Sequence, residues 1–323
     1  VDFIGTILWP IKWVIEAILV AFHTVFTAVG LDPDAGTTWV LSIVGLVLVV
    51  RAALIPIFVR QIKSQRRMLE VAPQLKKIQD KYKGKKDQFS REAMSRETME
   101  MYRKTGTNPL SSCLPLLLQM PIFFGLFSVL QNAQHEGVGV GLLSKELSRS
   151  FGESIFLGAP LKLAISTAGE AAKIAGASTV AVVVIASIMV VLMTSSQFIT
   201  QLQIMSKNQS PEMKSSPMYK QQRMLLYVLP LVFAFSGFTF PLGVMFYWLV
   251  SNFWTMGQQF FVIRNMPTPG SEAALAREAR VAKRNQRRGI TIVEDEPEPA
   301  PEAPKTTQRA QPVNPKNRKK KKR

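Results

Sequence analysis

The sequence predicts an all-α integral membrane protein with five transmembrane helices, an N-terminal interfacial helix and a cytoplasmic helical hairpin. Three observations predict it. Hydrophobic residues make up 47% of the 323-residue chain, yet Lys and Arg outnumber Asp and Glu by 40 to 22, giving a formal charge of +18 and a pI near 10.2. The apolar residues gather in runs of roughly 20, which at 1.5 Å rise cross a hydrocarbon core of about 30 Å. The basic residues gather in alternate connections, as the positive-inside rule requires.

Residues 1–30 form the first element. Residues 4 to 29 are largely apolar but lack a basic leading region, and Lys12 and Glu16 interrupt the run, so a signal peptide is not expected. Trp9, Trp13, Phe22 and Phe26 alternate with Lys12, Glu16 and His23, the pattern of a helix lying in the outer interface. Length alone also permits a further span.

The first span covers residues 39–59 and contains Arg51. The next cation, Arg60, is about 13 Å further along the helix, too far for Arg51 to snorkel to the surface. A charge at that depth costs roughly 2.5 to 3.5 kcal/mol on insertion scales, so it normally faces a wet cavity or a partner. A polar groove inside the membrane is the favoured reading; an Arg tolerated beside a thinned bilayer is the other.

Residues 60–109 read as the helical hairpin. Met68, Val71, Leu75, Ile78 and Tyr82 recur at helical steps, Lys83 to Asp87 breaks the pattern, and Gln88 to Lys104 is rich in helix formers. Further spans follow at 110–130, 180–202, 224–240 and 241–263, with an extracytoplasmic loop at 131–179 and a cytoplasmic loop at 203–223. The last two spans form one run too long for a single crossing. Gly237, Pro241 and Gly243 mark its reversal, because proline removes a donor and biases Phe240 away from the helical region. Residues 264–323 form a basic, largely disordered cytoplasmic tail: Ser271 to Arg288 has helical composition, Glu294 to Pro304 is acidic and proline-rich, and Lys319 to Arg323 is a run of five cations.

Charge sets the orientation. Residues 60 to 110 carry 14 basic and six acidic side chains, residues 203 to 223 four and one, and residues 263 to 323 16 and seven, whereas residues 131 to 178 carry four of each. The N-terminus is therefore expected outside a bacterial plasma membrane and the C-terminus in the cytoplasm. The hairpin charge fits a solvated inner face and also contact with anionic lipid or RNA.

Composition also excludes chemistry. No His, Asp or Glu falls within the five spans, which leaves an intramembrane enzyme without a base. Cys113 has no partner for an intrachain disulfide, and His23 and His135 lack the ligand cluster that a zinc site needs. No phosphate-binding glycine loop is present. No cofactor, no metal and no DNA partner are expected.

The motifs resemble one family. Asn108, Pro109 and Leu110, then Cys113, Leu114 and Pro115, then Gln119, Met120, Pro121, Ile122 and Phe123 are similar to the second-span signature of the YidC, Oxa and Alb membrane protein insertases. So are Arg51 and Pro56 before Gln61, Lys63, Ser64 and Gln65, and Phe156, Leu157 and Gly158 in the outer loop. Pro241, Gly243, Tyr247, Trp248, Ser251, Asn252, Gln258 and Gln259 resemble the final span. The likeness covers roughly residues 1 to 265 and is to the short Gram-positive type, without a large outer domain.

That resemblance implies an insertase and chaperone for nascent membrane proteins, working alone or beside the Sec translocon without covalent chemistry. Arg51, Gln119, Gln201, Tyr247 and Trp248 are the implied substrate-binding residues. Arg51 would attract acidic tails, Gln119 and Gln201 would offer neutral hydrogen bonds, and Tyr247 and Trp248 would form part of a slide for the incoming segment. Implied partners are nascent chains, the ribosome through the basic tail and loops, and anionic lipids. The alternative is an anion or small-solute transporter built on Arg51, for which paired broken helices or inverted repeats would speak, and neither is found.

Overall fold

Helix starts explain much of the architecture. A computed structural model describes residues 3–85, 87–107, 114–135 and 139–214, scattered positions between 219 and 235, and residues 237–289. Its elements are α1 (Phe3–Ala28), α2 (Gly36–Glu70), α3 (Ala72–Lys81), α4 (Gln88–Thr105), α5 (Leu114–His135), α6 (Lys145–Glu153), β1 (Ile155–Phe156), β2 (Ala159–Pro160), a 3-10 helix (Ile165–Lys173), α7 (Thr179–Lys207), α8 (Pro211–Lys214), α9 (Leu242–Asn265) and α10 (Glu272–Arg287). The antiparallel β1–β2 pair, with Ile155 opposite Pro160, is the sole sheet among the described residues.

Three long helices begin at that pair. Gly36 at the start of α2 packs so tightly on β1 that an added Cβ would sit 2.5 Å from the Ile155 carbonyl. Ser178, which caps α7, donates its N–H to Gly158 O at 2.8 Å. Leu242 and Gly243 donate theirs to Leu163 O and Leu161 O, both at 3.0 Å, so loop carbonyls satisfy first-turn donors of α9 that a helix leaves unpaired. The helices α2, α7 and α9 therefore run in the same direction from one cap. Pro241, with φ −59° and ψ 149°, provides the extended residue from which α9 starts.

Residues 139–178, read in the sequence only as a loop, are a folded cap. Phe151, Ala159, Leu161 and Leu163 are buried in the main core with Trp39, Ile43, Leu126, Val182 and Met245. Trp39 joins the parts: its ring lies edge-on to Phe151 at 5.2 Å, and its Nε1 donates to Ser150 Oγ at 3.1 Å.

The sequence reads Glu16 as an interruption in an apolar run and His23 as part of an interfacial pattern; the fold buries both. Glu16 is 1% exposed, and its carboxylate accepts backbone N–H groups of Val140 at 2.9 Å, Gly141 at 2.7 Å and Leu143 at 3.4 Å. His23 stacks on Trp39 at 4.1 Å and its Nε2 lies 2.8 Å from Pro33 O. A buried carboxylate needs such donors, since desolvation without them costs several kcal/mol.

Helix boundaries shift in the hairpin region. The first apolar run and the start of the charged segment form one helix of 35 residues, because nothing between Arg60 and Glu70 breaks it. The break falls at Val71, with Pro73 in the first turn of α3, inside the stripe that the sequence reads as continuous from Met68. Val71, Ile78, Met101 and Tyr102 are buried where α3 meets α4, with Leu75, Tyr82 and Met94 packed around them. Asp87 caps α4 by accepting the Ser90 N–H at 2.8 Å, and Gly106 closes it at φ 62°.

By length and composition, three helices among the described residues suit a membrane crossing: Leu8–Ala28, Gly36–Ser64 and Thr179–Lys207. The helix α9 carries Ser251, Asn252, Gln258 and Gln259, which dilute its apolar character. The described positions from 223 to 239 are helical. Asn108 to Cys113, Pro230 and residues 290–323, with the acidic stretch and the final five cations, lie outside the described residues.

Candidate functional site

Arg51 lies on α2 about 22 Å from the helix start at 1.5 Å per residue. It is half-buried and shares its stretch with exposed Leu48 and Val49. Among the described residues it makes no ion pair or hydrogen bond. Its electrostatic neighbour is Tyr247 of α9.

Tyr247 is only 3% exposed, and its hydroxyl oxygen accepts a hydrogen bond from Gln119 Nε2 of α5 at 2.8 Å. Three sequence-predicted residues from three helices are thus brought together. Tyr247 is common to both interactions: its oxygen accepts from a neutral donor, and the Arg51 guanidinium acts on it electrostatically. Among the described residues no carboxylate pairs with Arg51.

Trp248, the next residue, turns to a different neighbourhood. Its ring stacks on Phe123 of α5 at 5.1 Å with 5° between planes and meets Phe240 edge-on at 5.1 Å. Phe127 extends the cluster, 5.6 Å from Phe240. These half-buried rings lock α5 to the start of α9, each well-formed pair contributing about 0.5–1.5 kcal/mol beyond area burial. Gln201, on α7, has no hydrogen bond or ring contact with the other four, and its Oε1 is buried without a partner.

Sequence reasoning assigned no role to three further groups. Gln61 is 4% exposed with both amide atoms unpaired, Asn252 Nδ2 is buried without a hydrogen bond, and Ser251 Oγ is buried beside the Tyr247 hydroxyl. Each such group costs about 1–3 kcal/mol when left unpaired. Ser251 follows Tyr247 by one helical turn, a spacing that would have put it on the same face; for Gln61 no sequence signal indicates burial.

The comparisons with known proteins agree on one family. Residues 30–269 match the family model described as 60Kd inner membrane protein. A relative from Tropheryma whipplei (strain Twist) is 43% identical over 287 residues, spanning 88% of this chain and 93% of its own length. One from Streptomyces avermitilis is 45% identical over 282 residues, covering 87% of this chain and 63% of its own. One from Bifidobacterium longum is 34% identical over 302 residues, 91% and 87%. All three are named as the membrane protein insertase YidC. None of these names supports the transporter alternative.

Proposed function

The chain belongs to the 60Kd inner membrane protein family, and on that premise we propose that it is a membrane protein insertase and chaperone that passes polar tails through a hydrated groove at Arg51. The observation that carries this is the half-buried guanidinium, without a carboxylate partner among the described residues, beside the Gln119–Tyr247 pair. The barrier to insertion is desolvation of the substrate's polar tail. A wet groove shortens the dry path, and Arg51 attracts acidic side chains while its own field is strengthened by apolar walls. Gln119 and Gln201 offer neutral hydrogen bonds, and Tyr247 and Trp248 guide the apolar segment. Release into lipid is downhill by about 25 cal/mol per Å² of apolar area, so no nucleotide and no covalent step are needed.

In this reading the cap faces outside, the α3–α4 pair and α10 face the cytoplasm, and the spans are α2, α5, α7, the segment 224–240 and α9. The helix α1 lies along the outer interface. Its support is that Trp13, Glu16 and His23, spread over about 15 Å of helix, all meet residues at the cap end. The basic tail and loops would meet the ribosome and anionic lipid, with the Sec translocon as an accessory partner.

A photocrosslinker at position 51 or 248, presented to a stalled nascent membrane protein, tests the proposal. Crosslinks to the substrate's tail and apolar segment are expected; a chain that inserts in the same vesicles without ever crosslinking to either position would overturn it.

A further inference from the structure

Away from Arg51, at the cap end, lies a cavity of about 430 Å³ between the end of α5, the 3-10 helix and the start of α9. That size is within the roughly 300–1,000 Å³ usual for small-ligand sites. Its apolar lining includes Phe127, Phe240, Val244 and Leu163. Two charged residues, Lys162 and Glu170, also line it. Glu170 pairs with the exposed Lys173 at 2.8 Å. Two hydroxyls of the lining are also engaged, Thr167 with Ala164 and Thr239 with Phe235 O. Lys162 has no hydrogen bond or ion pair among the described residues. The lining therefore holds one cation without an ion pair among the described residues, together with the aromatic rings of Phe127 and Phe240. Nearby on the same helical stretches, Phe124, Phe235 and Phe238 are exposed, a surface suited to acyl chains.

We propose that this cavity binds one anionic phospholipid, with its phosphate on Lys162 and the upper part of an acyl chain against Phe127 and Phe240. A free phosphate would leave the aromatic lining unused, and a neutral lipid would leave the lysine uncompensated. A long amine on an apolar stem suits this place, because its methylenes cover the wall while the ammonium reaches the headgroup. The leaflet follows from the orientation proposed above, but the site itself does not depend on which side the cap faces. Nor does it depend on insertase activity, so the test below reads lipid contact alone.

The experiment uses the full chain in proteoliposomes containing a phosphatidylglycerol with a photoreactive group near the glycerol end of one acyl chain, followed by mapping of labelled peptides. Label is expected on peptides containing Phe127 and Phe240. Lys162→Ala should reduce it about fivefold, the weight of one lysine near an anionic surface, Lys162→Arg should retain it, and Thr239→Trp should fill part of the cavity and abolish it. A phosphatidylcholine probe should label about fivefold less, and inorganic phosphate should not compete. Melting temperatures of the variants separate site loss from misfolding. Equal labelling of wild type, Lys162→Ala and Thr239→Trp, equal labelling by the two lipids, or displacement by inorganic phosphate would each overturn the proposal.

Discussion

Replacing Arg51 with Ala removes one charge from a half-buried position and leaves the Gln119–Tyr247 hydrogen bond of 2.8 Å in place. The cost to a substrate follows from Coulomb's law. A carboxylate 4 Å from the guanidinium gains about 1 kcal/mol in water and about 4 kcal/mol at an effective dielectric of 20. Arg51 lies between those limits, so about 2 kcal/mol per tail carboxylate is expected, or roughly 30-fold in entry rate at 25 °C. The assay is insertion of a single-span substrate into proteoliposomes, comparing an acidic tail with its amide counterpart. Arg51→Ala should slow the acidic substrate roughly 30-fold and the neutral one only slightly. Arg51→Lys should preserve most of the rate, because the charge remains although the planar fork is lost. Raising ionic strength should narrow the difference between the two tails in the wild type, because salt screens charges that water reaches. Equal rates for Arg51, Lys and Ala with the acidic tail would refute the electrostatic role.

Tyr247→Phe should destabilise the bundle by about 1 kcal/mol, and a double-mutant cycle with Gln119→Leu should show coupling of similar size; zero coupling in thermal unfolding would mean the bond is immaterial. Glu16→Ala removes the acceptor of three backbone N–H groups and should cost about 3 kcal/mol, read as faster hydrogen exchange of residues 139–143. Gly36→Ala drives a Cβ into the Ile155 backbone and should cost about 1–3 kcal/mol, measured as a lower melting temperature. The carboxylates of Asp87, Glu97 and Glu100 are held below their ordinary range by the Ser90 N–H, the Lys81 ammonium and the Lys104 ammonium respectively. Because folding depresses them, their contribution is complete above the ordinary carboxylate range near pH 4 and fades as pH falls below it. Hydrogen exchange of residues 88–105, corrected for its intrinsic pH dependence, should accelerate below about pH 4 and stay flat from pH 5 to 8.

Much of the candidate site was legible because the membrane makes hydropathy a ruler. Arg51 needed only its distance in residues from the polar ends of its run, which the fixed helical rise converts into a distance along α2. The α3–α4 stripe was legible for the same reason, periodicity being a local property. Its break at Val71 was not, since a proline in the first turn of a helix fits either a start or a continuation until the chain direction is known. The strands β1 and β2 have two residues each, too few for any alternation to show.

Sequence by itself determined where apolar runs lie, how charge divides the connections and that one guanidinium stands midway along an apolar run without a carboxylate in it. These are properties of consecutive residues, readable because lipid forces every backbone donor into local helical bonds. Only the tertiary structure decided what meets what. Gln119 reaches Tyr247 across 128 positions, Glu16 holds a loop more than 120 positions away, and carbonyls of Leu161 and Leu163 start α9. Nothing in the side chains of Gln119 or Glu16 names those partners. Burial makes an unpaired polar group costly, and the packing of the helices fixes which group relieves it.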